Sequence, residues 1–319
     1  MIPGTAYHPG WLFRQAHAST IIPSTWRRVP ALAFARQRLE LPDGDFLDLD
    51  WVRSGARRAV VLCHGLEGDA QRPYMRGMAR AFQAAGWDAA AMNYRGCSGE
   101  TNRLPRNYHS GATEDLRQVV AAVQEAGYNK IVLVGFSLGG NLILKYLGED
   151  PLAVSPAVRA AVTVSVPTDL AGTAEALIQP GNAIYHARFL RKLRRKIRAK
   201  AVALGDEAYA APLAGVRNIV DFDDLFTGPL HGFAGGADYY ARNSSQNWLA
   251  AIEVPTLLLT AGNDPILSPS CYPREAASAS SRFHLEETAW GGHVGFRLPG
   301  LRYYSELRAL AFVEENAQG

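Results

Sequence analysis

Short apolar runs and helical stripes alternate along most of the chain. Each run is either apolar throughout or alternates between apolar and polar residues, and this pattern predicts strands. The eight runs lie at residues 36–41, 46–52, 59–63, 88–94, 130–136, 160–166, 256–261 and 283–287. Amphipathic stripes predict helices that begin near residues 73, 112, 138 and 303. This order indicates parallel β-α-β units, and therefore an α/β fold whose mostly parallel sheet is flanked by helices.

Two segments depart from the alternation. Residues 1–35 contain scattered prolines and predict an irregular arm. Between residues 167 and 250 the pattern is helical and polar, and it is too long for a loop in a compact domain. We therefore expect one domain, with a core at 36–166 and 251–319 and a helical cap inserted at 167–250 over the ends of the strands.

Composition excludes several classes of protein. The 319 residues carry 33 basic and 30 acidic side chains, and the net charge of +3 gives no nucleic-acid signature. Three distant cysteines, Cys63, Cys97 and Cys271, predict neither a disulfide framework nor a zinc site. The first 26 residues lack the apolar stretch of a signal peptide, and no window is apolar enough for a membrane-spanning helix. We expect a cytoplasmic protein.

A G-x-S-x-G motif follows the strand predicted at 130–136 and opens the next helix. It reads Gly135-Phe136-Ser137-Leu138-Gly139. A serine on such a strand-to-helix turn is presented as a nucleophile, and the N–H of Leu138 at the helix start can stabilise an oxyanion. The alternative is a glycine-rich turn that only connects strand to helix. The strand–turn–helix setting favours the nucleophile.

A serine hydroxyl needs a base and an acid that orients the base. His293 lies in a glycine-rich loop after the last strand, whereas His284 lies within that strand. Asp264 follows the strand at 256–261, in the chain order Ser, acid, His that a serine on this type of turn requires. The competing carboxylates belong to the predicted cap, and they are Asp223, Asp224 and Asp238. We predict a catalytic triad of Ser137, Asp264 and His293.

The loop after the strand at 59–63 reads His64-Gly65-Leu66-Glu67-Gly68. Its glycines allow the backbone to approach a substrate, so we assign the second oxyanion donor to the N–H of Leu66. We expect His64 to fix the loop, and Cys97 lacks the turn that would present a nucleophile. The chain has no metal-ligand motif, phosphate loop or dinucleotide fingerprint, so we expect neither a metal nor another cofactor.

Several motifs together resemble the YheT-like branch of the α/β-hydrolase superfamily, which is related to embryogenesis-associated and abhydrolase-domain proteins. They run in order from about residue 41 to 296 and read LPDGDFLDLDW, HGLEG, NYRGCSGE, YHSG, GFSLGGN, FDDL, HGF, DYY, GNDP and GGHVGF. The resemblance implies the same triad and activity on esters, with some relatives acting as phospholipases or acyltransferases. We interpret RGCSG and YHSG as loops beside the pocket, and DYY as an anchor of the cap.

Residues 188–200, from Arg188 to Lys200, hold eight basic residues in thirteen, with an apolar stripe at Leu190, Leu193, Ile197 and Ala201. This pattern is typical of a cap helix with a solvated basic face. The alternative is a contact with anionic membrane or with phosphate-bearing substrates such as acyl-coenzyme A.

The predicted function is hydrolysis of short- or medium-chain carboxylic esters, small-molecule substrates, through an acyl-serine intermediate. Two alternatives stay open: an acyltransferase that passes the acyl group to an alcohol, and a non-catalytic binding protein that retains the fold. The oligomeric state is not predicted.

Overall fold

A computed structural model describes residues 7–300 and 302–317 of the chain. Eight strands form one sheet in the order β1-β2-β4-β3-β5-β6-β7-β8. The strands are β1 (Ala35–Glu40), β2 (Phe46–Val52), β3 (Ala59–Cys63), β4 (Asp88–Asn93), β5 (Ile131–Phe136), β6 (Val158–Val164), β7 (Thr256–Ala261) and β8 (Phe283–Thr288).

The first two strands form a hairpin, with Glu40 opposite Phe46, and β2 pairs antiparallel with β4. Every other pair of neighbours is parallel. The predicted α/β class with a mostly parallel sheet is therefore confirmed. Strand β6 ends two residues before the apolar run does, because Ser165 has a positive φ of 53° that an extended strand cannot accommodate.

Eleven helices are described. They are α1 (Ala16–Trp26), α2 (Pro73–Ala84), α3 (Thr113–Glu125), α4 (Leu138–Glu149), α5 (Leu170–Leu177), α6 (Ala183–Leu204), α7 (Ile219–Phe222), α8 (Gly228–Leu230), α9 (Gly236–Asn243), α10 (Arg274–Ala279) and α11 (Tyr304–Asn316).

Helices cover both faces of the sheet. Alternate residues of β3 point to opposite sides, so that Val61 packs with α3 and α4 and Val60 with α2 and α11. All five side chains of β3 are buried, which explains why this strand reads as an uninterrupted apolar run. The sheet therefore forms a rigid platform whose parallel strands end at one common edge.

The segment between β6 and β7 contains α5 to α9 and, in the part of the chain that is described, no strand. These helices bury their own apolar cluster, in which Leu193 and Ile197 of α6 meet Phe222 and Phe226. Leu66, from the loop after β3, packs against the same cluster. The segment therefore lies over the edge of the sheet at which the parallel strands end.

The prediction of an irregular arm at residues 1–35 is wrong for its central part. Trp11–Arg14 forms a turn of 3₁₀ helix and α1 follows, with Pro23 inside it. Proline removes one backbone hydrogen bond from a helix interior, so local propensity disfavours α1. Its buried residues include Ser19, whose hydroxyl donates to Phe13 O at 2.8 Å. Residues 1–6 lie outside the described residues.

None of the helices in the two described ranges combines the length and the apolar character that crossing a bilayer demands.

Candidate active site

Ser137 stands at the turn between β5 and α4 with φ 52° and ψ −120°. This conformation costs energy for a residue with a side chain, and neighbouring contacts hold it. The Ser137 N–H donates to Val164 O at 2.9 Å. A Cβ at Gly135 would overlap the carbonyl of Gly139, and one at Gly139 would overlap the carbonyl of Cys63. Both positions therefore require glycine for close packing of the turn.

Ser137, His293 and Asp264 form one chain of hydrogen bonds. Ser137 Oγ lies 2.9 Å from His293 Nε2, and Asp264 Oδ2 lies 2.9 Å from His293 Nδ1. The Asp264 side chain is fully buried, and its Oδ1 accepts from the N–H of Ile266 at 2.9 Å. The three predicted residues follow β5, β7 and β8, and parallel strands bring these ends to one edge of the sheet.

The loop that carries His293 is held by residues that the sequence analysis did not identify. The His293 N–H donates to Thr20 Oγ1 at 2.9 Å, and the Val294 N–H donates to Ser165 Oγ at 3.0 Å. Gly292 and Gly295 lie so close to α1 that a Cβ at either would overlap the helix backbone. Helix α1 therefore serves as one wall of the histidine loop.

The loop after β3 lies directly against the serine. A Cβ built on Gly65 would lie 3.2 Å from Ser137 Cβ, so the glycine permits this approach. Within residues 7–300 and 302–317, the N–H groups of Leu66 and Leu138 have no protein acceptor. Both residues line the cavity at Ser137, where we predicted an oxyanion site.

Glu67 fixes the position of Leu66 through five contacts. It has a positive φ of 53°, and its N–H donates to Tyr108 Oη at 2.7 Å. Its carboxylate accepts from Tyr108 Oη at 2.9 Å and pairs with Lys196 Nζ at 2.8 Å. Its carbonyl accepts from Lys192 Nζ at 2.8 Å and from Arg72 at 3.1 Å. Two of these partners belong to α6, so the insertion supports the loop directly.

The rival residues make other contacts, although Asp223 lines the same cavity as Ser137. His64 is fully buried, and its Nδ1 lies 2.8 Å from Gly65 O. Burial lowers the pKa of His64 to about 3, so the ring is neutral and fixes the loop as we expected. His284 packs edge-on against Phe312. Asp223 is bonded to Thr227 at 2.6 Å and to Tyr240 at 2.7 Å, within the insertion.

Comparison with known proteins agrees with this architecture. The model of the α/β-hydrolase fold family matches residues 58–296. YheT of Escherichia coli, which is named as a candidate esterase, is 37% identical over 89% of this chain and 85% of its own. The chain belongs to the YheT-like branch of the α/β hydrolases.

More distant proteins share the same fold. The phospholipase ABHD3 of Mus musculus is 28% identical to this α/β hydrolase over 93% of this chain and 74% of its own. A solved esterase from Pyrococcus furiosus superimposes with a TM-score of 0.61 at 14% identity, covering 98% of this chain and 100% of that one. At this identity the superposition establishes the fold alone.

Two cavities of this α/β hydrolase meet at Ser137. The apolar cavity lies under the insertion and is lined by Leu193, Ile197, Phe222 and Phe226, among others. The basic cavity lies between α1, the loop after β3 and the start of α6, and its cationic residues are Arg27, Arg72, Arg188 and Lys192. Ser137 and His293 line both.

The basic segment 188–200 lies within α6, and its cations divide between two faces. The predicted apolar stripe is buried, and Arg191, Arg195 and Arg198 are exposed. Lys200 is fully buried and donates to Asn102 O at 2.7 Å and to Leu104 O at 2.7 Å. The expectation of a solvated basic face is therefore wrong for the lysine row of α6, which consists of Lys192, Lys196 and Lys200.

The other motifs join the insertion to the core. The Ser110 N–H of the YHSG loop donates to Tyr239 Oη at 3.1 Å. Asn141 in α4 donates to Ser110 O at 3.0 Å and to Asn243 O at 2.9 Å, and accepts from the Ser245 N–H at 2.9 Å. These bonds tie both the YHSG loop and the end of the insertion to the helix that follows the serine.

Proposed function

We propose that this α/β hydrolase cleaves carboxylic esters through an acyl-serine intermediate. The observation that carries the proposal is the continuous chain Ser137 Oγ–His293–Asp264, with 2.9 Å at each step. The serine is held in a costly backbone conformation at the end of a buried strand, and a purely structural turn has no need of that conformation.

The reaction has two halves. In the first, Ser137 Oγ attacks the ester carbonyl carbon, and its proton passes to His293 Nε2. The tetrahedral oxyanion accepts from the N–H groups of Leu66 and Leu138. The carbon–oxygen bond to the alcohol then breaks, and His293 protonates the leaving oxygen. In the second half, water attacks the acyl-serine, His293 takes the proton of the water, and the carboxylic acid leaves as the proton returns to Ser137.

Asp264 orients the imidazole and stabilises its charged form. Its buried side chain also accepts from the Ile266 N–H, which fixes the carboxylate before the substrate arrives. We assign the oxyanion donors to Leu66 and Leu138 because their N–H groups have no acceptor in the described ranges.

We assign the acyl chain to the apolar cavity, with residues 167–250 acting as the cap. Leucine and phenylalanine side chains of the insertion line this cavity, and they favour a short- or medium-chain acyl group over a charged one. The phospholipase relative, whose name denotes cleavage of a lipid, supports an ester as the substrate class.

The test is labelling with a fluorophosphonate followed by ester profiling. We expect wild type to label and to hydrolyse p-nitrophenyl butyrate, and Ser137→Ala to do neither while it stays folded. Ser278→Ala, a change at an exposed serine, is the matched control and should behave as wild type. Absence of labelling in wild type would favour a binding protein. A product that carries the acyl group on an added alcohol would favour an acyltransferase.

A further inference from the structure

The basic cavity differs from the apolar cavity in the number of cationic residues in its lining. It is lined by Arg72 before α2, by Arg188 and Lys192 one turn apart on α6, and by Arg27 after α1. Among the described residues that line it, Glu67 alone bears a carboxylate. Ser137 and His293 also line this cavity, so a group bound in it lies beside the ester bond that is cleaved.

The charges of this cavity are not balanced. Glu67 is paired with Lys196 at 2.8 Å, and Arg27 is paired with Glu306. Among the described residues, the ion pair of Arg72 is a longer one, of 3.4 Å to Asp69. Within the two described ranges, Arg188 and Lys192 have no carboxylate within salt-bridge distance. Two cations therefore remain without a counterion at the reacting serine.

The pKa of Lys192 reflects this excess of positive charge. Burial, together with the positive charges of Arg72 and Arg188, lowers the pKa of its ammonium to about 8, although the nearby carboxylates of Glu67 and Asp69 act in the opposite direction. A partly buried cation placed among other cations is costly unless an anion joins them. The cavity therefore favours the binding of an anion.

We infer that the basic cavity binds a phosphate-bearing leaving group of the ester, with Arg188 and Lys192 as the residues that select it. This inference rests on the proposed function. Guanidinium and ammonium groups are the usual partners of phosphate oxygens. The cavity selects a net anionic group and disfavours a neutral or zwitterionic one, because a quaternary ammonium would add another cation.

With the acyl chain assigned to the apolar cavity, the alcohol side of the ester is assigned to the basic cavity. His293, which protonates the leaving oxygen, lines both cavities and is therefore within reach of a leaving group in the basic cavity. The acyl chain extends into the apolar cavity on the other side of Ser137. The carbonyl carbon then lies between the two cavities, in reach of Ser137 Oγ.

The experiment compares substrates that share a decanoyl chain and differ only in the leaving group. They are decanoyl lysophosphatidate, decanoyl lysophosphatidylcholine, monodecanoylglycerol and decanoyl-coenzyme A. We expect kcat/KM for lysophosphatidate to exceed that for monodecanoylglycerol by about 10- to 100-fold, the effect of charge-assisted hydrogen bonds. A higher kcat/KM for decanoyl-coenzyme A than for lysophosphatidate would show that the phosphate is that of coenzyme A and not that of a glycerol phosphate.

Arg188→Gln should lower the ratio of kcat/KM for lysophosphatidate to that for monodecanoylglycerol by about tenfold, and Arg188→Lys should restore most of it. Arg191→Gln, on the exposed face of the same helix, is the matched control and should leave the ratio unchanged. In parallel, sn-glycerol 3-phosphate should slow fluorophosphonate labelling of wild type more than that of Arg188→Gln.

The outcomes separate the two proposals. Labelling and ester hydrolysis without a preference for a phosphate-bearing leaving group would overturn this inference and leave the proposed function intact. A preference that Arg188→Gln does not reduce would overturn the assignment to this cavity. Loss of Ser137-dependent labelling in wild type would refute the proposed function itself.

Discussion

The contact between α1 and the histidine loop can be tested by Thr20→Val, which keeps the shape of the side chain and removes its hydroxyl. Thr20 is buried, and its Oγ1 is the acceptor of the His293 N–H at 2.9 Å. A buried donor left without an acceptor costs about 1–3 kcal/mol. If the loop moves to recover a hydrogen bond, the population with His293 beside Ser137 falls by about 5- to 150-fold. We expect kcat to fall by the same factor.

The assay is the kcat of p-nitrophenyl butyrate hydrolysis together with the thermal midpoint of unfolding. Thr20→Ser keeps the hydroxyl and should retain most of the activity. Thr25→Val is the matched control, because Thr25 is exposed on the same helix and its hydroxyl donates to Ile21 O at 2.7 Å. An unpaired donor should lower kcat by more than about twofold. If the kcat values of Thr20→Val and Thr25→Val differ by less than that, the proposed role of α1 is refuted.

Three further changes have defined outcomes. Asp264→Asn should lower kcat by about 10⁴-fold, with little change in the unfolding midpoint, whereas Asp238→Asn should retain wild-type kcat. Gly139→Ala should abolish the soluble folded protein, as judged by circular dichroism, because its Cβ would overlap Cys63 O. For lysophosphatidate, kcat/KM relative to the neutral ester should fall as the pH rises through about 8, since Lys192, which faces Arg72, Arg188, Glu67 and Asp69, then loses its charge. A ratio independent of pH between 7 and 10, the interval that spans this pKa, would contradict the role of Lys192.

Strand β3 was predictable because it is buried on both faces and is apolar at every position. Strands β2, β3 and β7 have the predicted bounds. Helix α1 was not predictable, since Pro23 and its polar residues give a local pattern typical of a loop. Its stability comes from contacts with the His293 loop, which lies more than 270 residues further along the chain. No local periodicity carries that information.

The same distinction applies to the candidate site. Ser137, Asp264 and His293 each follow a strand, and the chain order of the motifs was enough to select them. The residues that hold them, such as Thr20 and Glu67, have no motif of their own and act through contacts between distant segments. The apolar stripe of α6 was visible in the sequence, but the buried partners of its lysines were not.

The five contacts of Glu67 have a consequence for engineering and for divergence within the family. Lys192 and Lys196 place part of the support for the loop after β3 on the insertion. Replacing the insertion with a foreign one would therefore remove support for the loop after β3 along with part of the wall of the apolar cavity. New specificities are accessible by changing side chains that face the cavities, with the lysine row of α6 left in place. In this α/β hydrolase the insertion and the loop after β3 must diverge as one unit.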